Sequence, residues 1–393
     1  MVTSGPTRGG RVVVGAIAIV ALDAAEADVA SSPQWQLQAG YTADLLANVR
    51  GGLRRDSAYL QRIDLLAELE GAGFAEGHSI TAFGNLIQTN DTTFSEPIVG
   101  DTQVVSNIDA PGGVRVLEAW LQYAFASGTS LKLGLYDLNS EFDYIETGSF
   151  FINSSHGIGP DVSQSGANGP SIFPVTGLAV RVEIPTSDRS RLRLAVLDGV
   201  PGAPDDPDRT SLHLSSEEGA LLIAESDWML SERLRAFGAV WAYTEEFPVL
   251  DASDSNERSE AWGAYLGIDG RVDEQLSAWL RLGHANPAVH QFEAYLGAGL
   301  LWHDPDVAPR LTFGAAAGWA RTSTSFRDAS SLADELPAGR EFNLELSARL
   351  QINEWLALQP DLQWIRHPGG RVDIEDAWVL GLRLEVALDL ASD

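Results

Sequence analysis

The sequence predicts an all-β protein: a transmembrane antiparallel β-barrel of about sixteen strands with one long connection folded into its interior. Three observations carry that expectation. Apolar and polar residues alternate with a period of two through stretch after stretch, and no helix-period segment of convincing length interrupts them. The stretches reach about ten residues, longer than the roughly 5–6 usual for soluble strands. The chain also opens with the pattern of an export signal.

That signal comes first. Arg8 and Arg11 precede the apolar run 12–22, VVVGAIAIVAL, and Ala25 and Ala27 supply the small residues of an A-x-A cleavage site. The run is too short to span a membrane, and Asp23 follows it directly. Residues 1–27 are therefore expected to be a removed signal peptide and 28–393 the barrel. Export leads to the periplasm, the outer membrane or the medium.

Alternating stretches then follow at 35–47, 59–71, 78–90, 114–126, 130–138, 176–185, 190–198, 217–227, 232–244, 259–270, 274–285, 290–303, 309–321, 341–351, 354–366 and 375–388, separated by Gly, Pro, Asn, Asp and Ser clusters. The hairpin around 114–142 is the most informative. Leu117, Ala119, Leu121, Tyr123 and Phe125 share one face; Glu118, Trp120 and Gln122 share the other. Past the turn, Leu131, Leu133 and Leu135 alternate with Lys132, Gly134 and Tyr136. Leu178 to Ile184, Leu192 to Val196, Leu344 to Leu350 and Leu380 to Val386 repeat the pattern, with Arg, Glu and Gln opposite the leucines and valines. Aromatics near strand ends (Trp35, Tyr41, Tyr59, Trp241, Tyr243, Trp302, Trp319, Trp364, Trp378) suit interfacial girdles. Short turns alternate with long connections, as in bacterial barrels.

One connection stands out, from about Asn139 to Val175. It is rich in Gly, Ser, Asn and Pro, yet it carries Phe142, Tyr144, Phe150, Phe151, Ile152 and Phe173. Apolar side chains in such a loop need burial, and a wide barrel offers its lumen. A loop folded inward narrows the channel.

Composition excludes several classes. Against 26 Lys+Arg stand 55 Asp+Glu, a formal charge of -29. That balance weighs strongly against nucleic-acid binding, because phosphate contacts need a basic face. The acidic clusters at 205–208, 251–260 and 328–335 read as solvated loops, with divalent-cation binding or a bias toward cations near a pore mouth as the functional alternative. Residues 254–256 begin like a calcium loop but lack its Gly and distal Glu. With no Cys there is no disulfide and no thiolate metal site. The seven His show no metal-ligand spacing, and no G-x-S-x-G elbow occurs. No cofactor and no catalysis are expected.

The chain resembles the carbohydrate-selective porin family, OprB type. The resemblance rests on 105–112 (VSNIDAPG), 118–120 (EAW), 134–142 (GLYDLNSEF), 151–160 (FINSSHGIGP), 169–175 (GPSIFPV), 198–202 (DGVPG), 355–365 (WLALQPDLQWI) and 367–370 (HPGG). It implies a sixteen-stranded outer-membrane barrel passing monosaccharides, glucose by default, by passive diffusion. It also implies small carbohydrates, outer-membrane lipid and the barrel-assembly machinery as partners, with monomer and homo-oligomer both open. Two departures stand: His156 occupies a position where an aromatic is usual, and the chain ends LDLASD rather than on an aromatic residue.

A sugar channel needs hydrogen-bond donors and acceptors on opposing walls. The polar-face candidates are Glu118, Gln122, Lys132, Tyr136, Arg181, Glu183, Arg191 and Arg193; Asp137, Asn139, Glu141 and Asn153 add contacts from the long loop. Arg offers a fixed fork of donors to paired hydroxyls. A general or ion-conducting barrel, a secreted sugar-binding β protein and an outer-membrane hydrolase are the alternatives.

Overall fold

Sixteen strands close into a single antiparallel barrel in which each strand pairs with the next in sequence and the last returns to the first. The computed structural model describes residues 33–392 apart from 216, 252, 253, 255 and 334. The expected signal peptide lies outside the described residues. The strands are β1 (Gln34–Gly52), β2 (Asp56–Ala72), β3 (Ser79–Thr89), β4 (Gly113–Ala124), β5 (Ser130–Tyr136) and β6 (Gly177–Ser187). Then come β7 (Ser190–Asp198), β8 (Ala220–Met229), β9 (Leu234–Pro248), β10 (Arg258–Arg271) and β11 (Leu276–Ala285). The circuit ends with β12 (Phe292–Trp302), β13 (Leu311–Thr322), β14 (Glu341–Asn353), β15 (Leu356–Arg366) and β16 (Glu375–Ser392). Each falls on one of the alternating stretches.

The period of two decides what each face does. Leu121, Leu133, Val180, Leu194, Leu266, Leu280, Leu346 and Leu380 are all exposed, and they lie on the outer face. So much apolar surface would aggregate in water; in a bilayer it is the solvated face. Closure leaves no strand edge unpaired in a medium that cannot hydrogen-bond it. The long connections 90–112, 137–176, 199–219 and 323–340 all follow odd-numbered strands and share one rim. Turns such as 188–189 and 354–355 form the other. Long connections mark the extracellular side in such barrels.

Three details depart from the sequence expectation. Leu117 is buried rather than outward, because a bulge pairs Asn85 with Glu118 and Leu86 with Val116, leaving Leu117 between them. Trp241 and Tyr243 are not girdle residues; both are buried on the inner face of β9, where Tyr243 Oη lies 3.2 Å from Ser165 Oγ. A helix, Thr324–Leu332, forms in the 323–340 connection, started by Ser323 Oγ accepting from Phe326 N at 3.1 Å.

The barrel is not hollow. The 137–176 segment folds inward as expected, and Phe142, Ile145, Phe150, Phe151 and Val162 pack against inward Phe237, Trp241, Tyr265 and Trp279. Phe142, Phe150 and Phe151 are each 1 % exposed or less. Burying a side chain of that size contributes about 1.5–3 kcal/mol. The far wall makes room with small inward residues on β13. At Gly314 a Cβ would stand 2.5 Å from Phe150 Cε1 and 2.8 Å from Phe151 Cε1, so no larger residue fits there. A second inward segment was not expected. In 90–112, Phe94, Ile98, Val99, Val105 and Ile108 pack on Leu46, Leu60, Ile365 and Val379.

Candidate functional site

The apolar residues of the 90–112 segment pack on β1, β2, β15 and β16, and those of the 137–176 segment reach Phe237, Trp241, Tyr265 and Trp279 on β9 to β11. On β4 to β8 the inward positions carry charge. Lys132 and Arg181 are paired neighbours across β5 and β6, and Glu183 pairs with Arg193 across β6 and β7. The loop residue Glu141 descends onto this wall. Its carboxylate accepts from Lys132 Nζ at 3.0 Å, Tyr136 Oη at 2.7 Å, Arg181 Nε at 2.7 Å and Arg181 Nη2 at 2.6 Å. Its main-chain oxygen accepts from Arg193 Nη1 at 3.0 Å. Arg181 also donates to Gln122 Oε1 at 2.8 Å and Ser130 Oγ at 2.6 Å. Arg193 Nε donates to Glu183 at 2.7 Å, and its Nη1 lies 3.1 Å from Glu225 and 2.8 Å from Asp227.

Ten of the twelve candidates thus fall in one neighbourhood. Glu118 accepts from Trp120 Nε1 at 3.2 Å and from Asp137 N at 3.4 Å. Arg191 sits toward the short-turn rim, 3.7 Å from Glu183, and lines a cavity there with Asp227 and Asp188. The other two serve the loop. Asn139 Nδ2 donates to the main-chain oxygens of Phe142, Asp143 and Gly157. Asn153 is buried on the opposite wall, its N–H on Glu345 at 2.9 Å and its amide on Gln363 at 3.1 Å. His156 fills an aromatic's place in the packing: fully buried, its ring centroid is 5.2 Å from that of Phe151 and 5.7 Å from that of Trp279. Burial pushes it down to about 3, so it is neutral.

Several residues escaped the sequence reading. Arg62 binds Asp64 at 2.6 Å, and its guanidinium carbon lies 4.7 Å from the centre of the Phe173 ring. Glu225 and Asp227 on β8 complete the cage around Arg193. Arg281 on β11 holds two loop carboxylates, Asp143 and Asp161. All lie at the same inward parity that marked the candidates, on strands far in sequence from the loop. Among the described residues, no three His, Asp or Glu side chains converge as a metal site would need.

Burial alone would raise the Glu141 carboxyl; Lys132 and Arg181 override it and hold Glu141 well below the usual carboxylate range. Asp137 has no such pair, and burial pushes it up to about 6. The two therefore act oppositely on loop docking. Asp137, raised above its unfolded value, favours the docked loop in acid and loses that contribution as pH rises through about 6. Glu141, depressed, contributes above its unfolded value and fails only in strong acid. Amides of the loop root should exchange more slowly, after correction for intrinsic rates, at about pH 5 than at about pH 8. Equal protection at both would refute this.

The family described as carbohydrate-selective porin, OprB family, matches residues 54–247 and 231–388. Porin B of Pseudomonas aeruginosa is 36% identical over 45 residues; the alignment spans 12% of this chain and 10% of that protein. The high-pH structure of Pseudomonas putida OprB superposes with a TM-score of 0.79 at 16% identity, covering 90% of this chain and 94% of that one. The outer membrane channel DcaP of Acinetobacter baumannii gives 0.61 at 11% identity, covering 91% and 97%. At these identities the two superpositions establish a shared barrel fold.

Proposed function

This chain belongs to the OprB family of carbohydrate-selective porins, and from that premise we propose that it is an outer-membrane channel through which small sugars, glucose foremost, diffuse passively. The observation that carries the reading is the cluster at Glu141, where a loop carboxylate meets Lys132, Tyr136 and Arg181 from the wall. Acceptors and donors stand together there with their orientations fixed. A sugar passing between them exchanges water for Gln122, Glu141 and Glu183, and each bond is offset by lost hydration, so binding stays weak enough for release. Arg62 and Phe173 add a stacked face for the apolar side of a pyranose ring. The outer leucine face engages membrane lipid, and insertion runs through the barrel-assembly machinery.

The test is a planar bilayer in which glucose, sucrose and a neutral non-sugar solute are titrated against single-channel current. Glucose is expected to block, and the non-sugar solute is not. Arg181→Ala with Arg193→Ala should widen the pore and weaken the block roughly tenfold, about one charge-assisted hydrogen bond's worth. Unchanged conductance and block in the double variant would remove both residues from the narrowing. Open channels indifferent to every sugar would make the barrel a general diffusion pore.

A further inference from the structure

We infer that the outer surface of β13 to β15 is a docking site for a phosphorylated, multiply acylated lipid of the outer leaflet: arginines at the long-connection rim take the phosphate, and an apolar groove beneath them takes a chain. The inference rests on the outer-membrane reading above, which fixes the side that this rim faces, and adds a lipid partner.

Strand register builds the upper part. Trp319 on β13 pairs with Phe342 on β14, and Trp364 on β15 pairs with Trp378 on β16. Ring centroids lie 5.8 Å apart for Phe342 and Trp364 and 6.2 Å apart for Trp364 and Trp378, so the four strands carry one aromatic band. Such bands mark the bilayer interface. Arginines stand directly above it. Phe342 pairs with Arg366, and the Ala320–Glu341 pair leaves Arg321 and Arg340 at the step beyond. Ala320 and Glu341 are buried on the inner face, which turns Arg321 and Arg340 outward. All three arginines are exposed. Arg321 meets Glu293 at 2.8 Å with its side chain still 53% exposed. Arg340 and Arg366 make no ion pair among the described residues. The nearest acids on the next strand are engaged elsewhere: Glu375 binds Arg50 at 3.2 Å, and Asp376 accepts from His367 N at 3.2 Å. Across β9 and β10 the same rim is acidic, with Glu245, Glu246 and Glu260 exposed. In a chain with 55 Asp+Glu against 26 Lys+Arg, a cationic outer patch is local, and it calls for an anion that meets it.

Below the band the same strands leave a groove of about 620 Å³ on the lipid face, lined by Leu300, Phe313, Ala315, Leu346, Ala348 and Pro360 among others. Ala315 pairs with Leu346 and Ala348 with Phe313, so small side chains lie between large ones. Pro360 has no N–H to give, and the ladder to β14 skips there from Ser347–Asp361 to Leu350–Leu358. Along β15, the path from Arg366 down to Pro360 is about 20 Å, or about 15 Å of depth at the usual strand tilt. An extended acyl chain covers that depth. A smooth leucine wall offers every chain the same contact, whereas a groove encloses one chain and gains dispersion that the wall lacks. Above it, guanidinium forks match phosphate oxygens in pairs. A neutral lipid gains only the groove, and a phosphate without chains gains only the arginines.

The probe is lipid A, a phosphorylated glucosamine disaccharide with several acyl chains, added to the whole barrel in detergent and read by native mass spectrometry. The parent protein should retain lipid A at least tenfold better than fully dephosphorylated lipid A, with a preference that shrinks as salt rises. Arg340→Gln with Arg366→Gln removes two side chains that hold nothing else in the fold. It should lower lipid A retention about tenfold or more and leave the dephosphorylated lipid unchanged. Ala348→Leu fills the groove and should weaken both lipids several-fold. Equal retention of lipid A by the parent and the arginine variant, or of the two lipids by the parent, would overturn the inference. Phosphatidylglycerol held as tightly as lipid A would overturn the choice of lipid. Single-channel conductance and glucose block should stay parent-like in both variants, since these positions face away from the lumen. Absence of channels from the parent protein itself would instead count against the porin reading.

Discussion

Replacing Arg281 with leucine will release the 137–176 segment from the lumen and raise single-channel conductance severalfold. Arg281 projects inward from β11 and is fully buried. Its Nε donates to Asp143 at 3.0 Å and its Nη2 at 2.8 Å; Nη2 also reaches Asp161 at 3.1 Å, and Nη1 bonds the other Asp161 oxygen. One wall position thus ties together two loop residues distant along the loop. Tyr265 and Tyr295 flank the guanidinium at 4.9 and 5.5 Å. Leucine there strands two carboxylates out of water. Removing one partner of a buried pair costs about 3–5 kcal/mol, comparable with the burial of one or two of the loop's phenylalanines. The barrel persists, because its ladders are main-chain bonds that do not involve this side chain. Single-channel recording reads the conductance, and chymotrypsin, with sites at Phe150 and Phe151, reads the loop. Adding Asp143→Asn and Asp161→Asn to the leucine variant should restore much of the protection, since a neutral site carries no stranded charge. Unaltered conductance with a chymotrypsin-resistant loop would show that the aromatic packing holds the segment unaided.

The case of Arg281 shows where the sequence stops being legible. The strands could be read because a one-residue slip would turn every leucine to the wrong face, so their pattern is strongly constrained. The inward loop could be read because Phe150, Phe151 and Ile152 have no other dry place in a Gly- and Ser-rich stretch. The same argument applied to Ile98, Val99, Val105 and Ile108 would have found the second inward segment, whose apolar residues are sparser. Most residues of the cluster around Glu141 were reached because Lys132, Tyr136, Arg181, Glu183 and Arg193 flank the loop in sequence. Glu225, Asp227 and Arg281 do not, and nothing local shows which inward residue a loop will meet once the barrel closes. Trp241 and Tyr243 misled for another reason. On β9 both faces are apolar, Val240 outward to lipid and Trp241 inward to the loop, so the period of two carries no sign. The bulge at Leu117 leaves no trace in composition at all.

Glu141→Ala will cost the narrowing both its sugar affinity and its charge sign. Four donor contacts converge on this one carboxylate, two of them from Arg181 and one from Lys132. Each bond to a charged group contributes about 1.5–3 kcal/mol. Arg181 keeps Gln122 and Ser130, and Arg193 keeps Glu183, so the cations stay in place while the carboxylate that pairs with both Lys132 and Arg181 disappears. Two consequences follow from that imbalance. The loop root loses its attachment to β5 and β6, so the donors and acceptors that a sugar must bridge are no longer held at fixed separation, and the half-blocking glucose concentration should rise about tenfold or more. Lys132 and Arg181 then face the lumen unpaired, so the reversal potential should move toward chloride and anionic sugars should enter faster than in the parent protein. Glu141→Gln separates the two effects. The amide oxygen still accepts from Arg181, preserving part of the loop attachment, but it carries no charge, so the shift toward chloride should persist while the loss of sugar block is smaller. Parent-like block and reversal potential in both variants would place the narrowing elsewhere along the lumen and leave Glu141 as a purely internal tether of the loop.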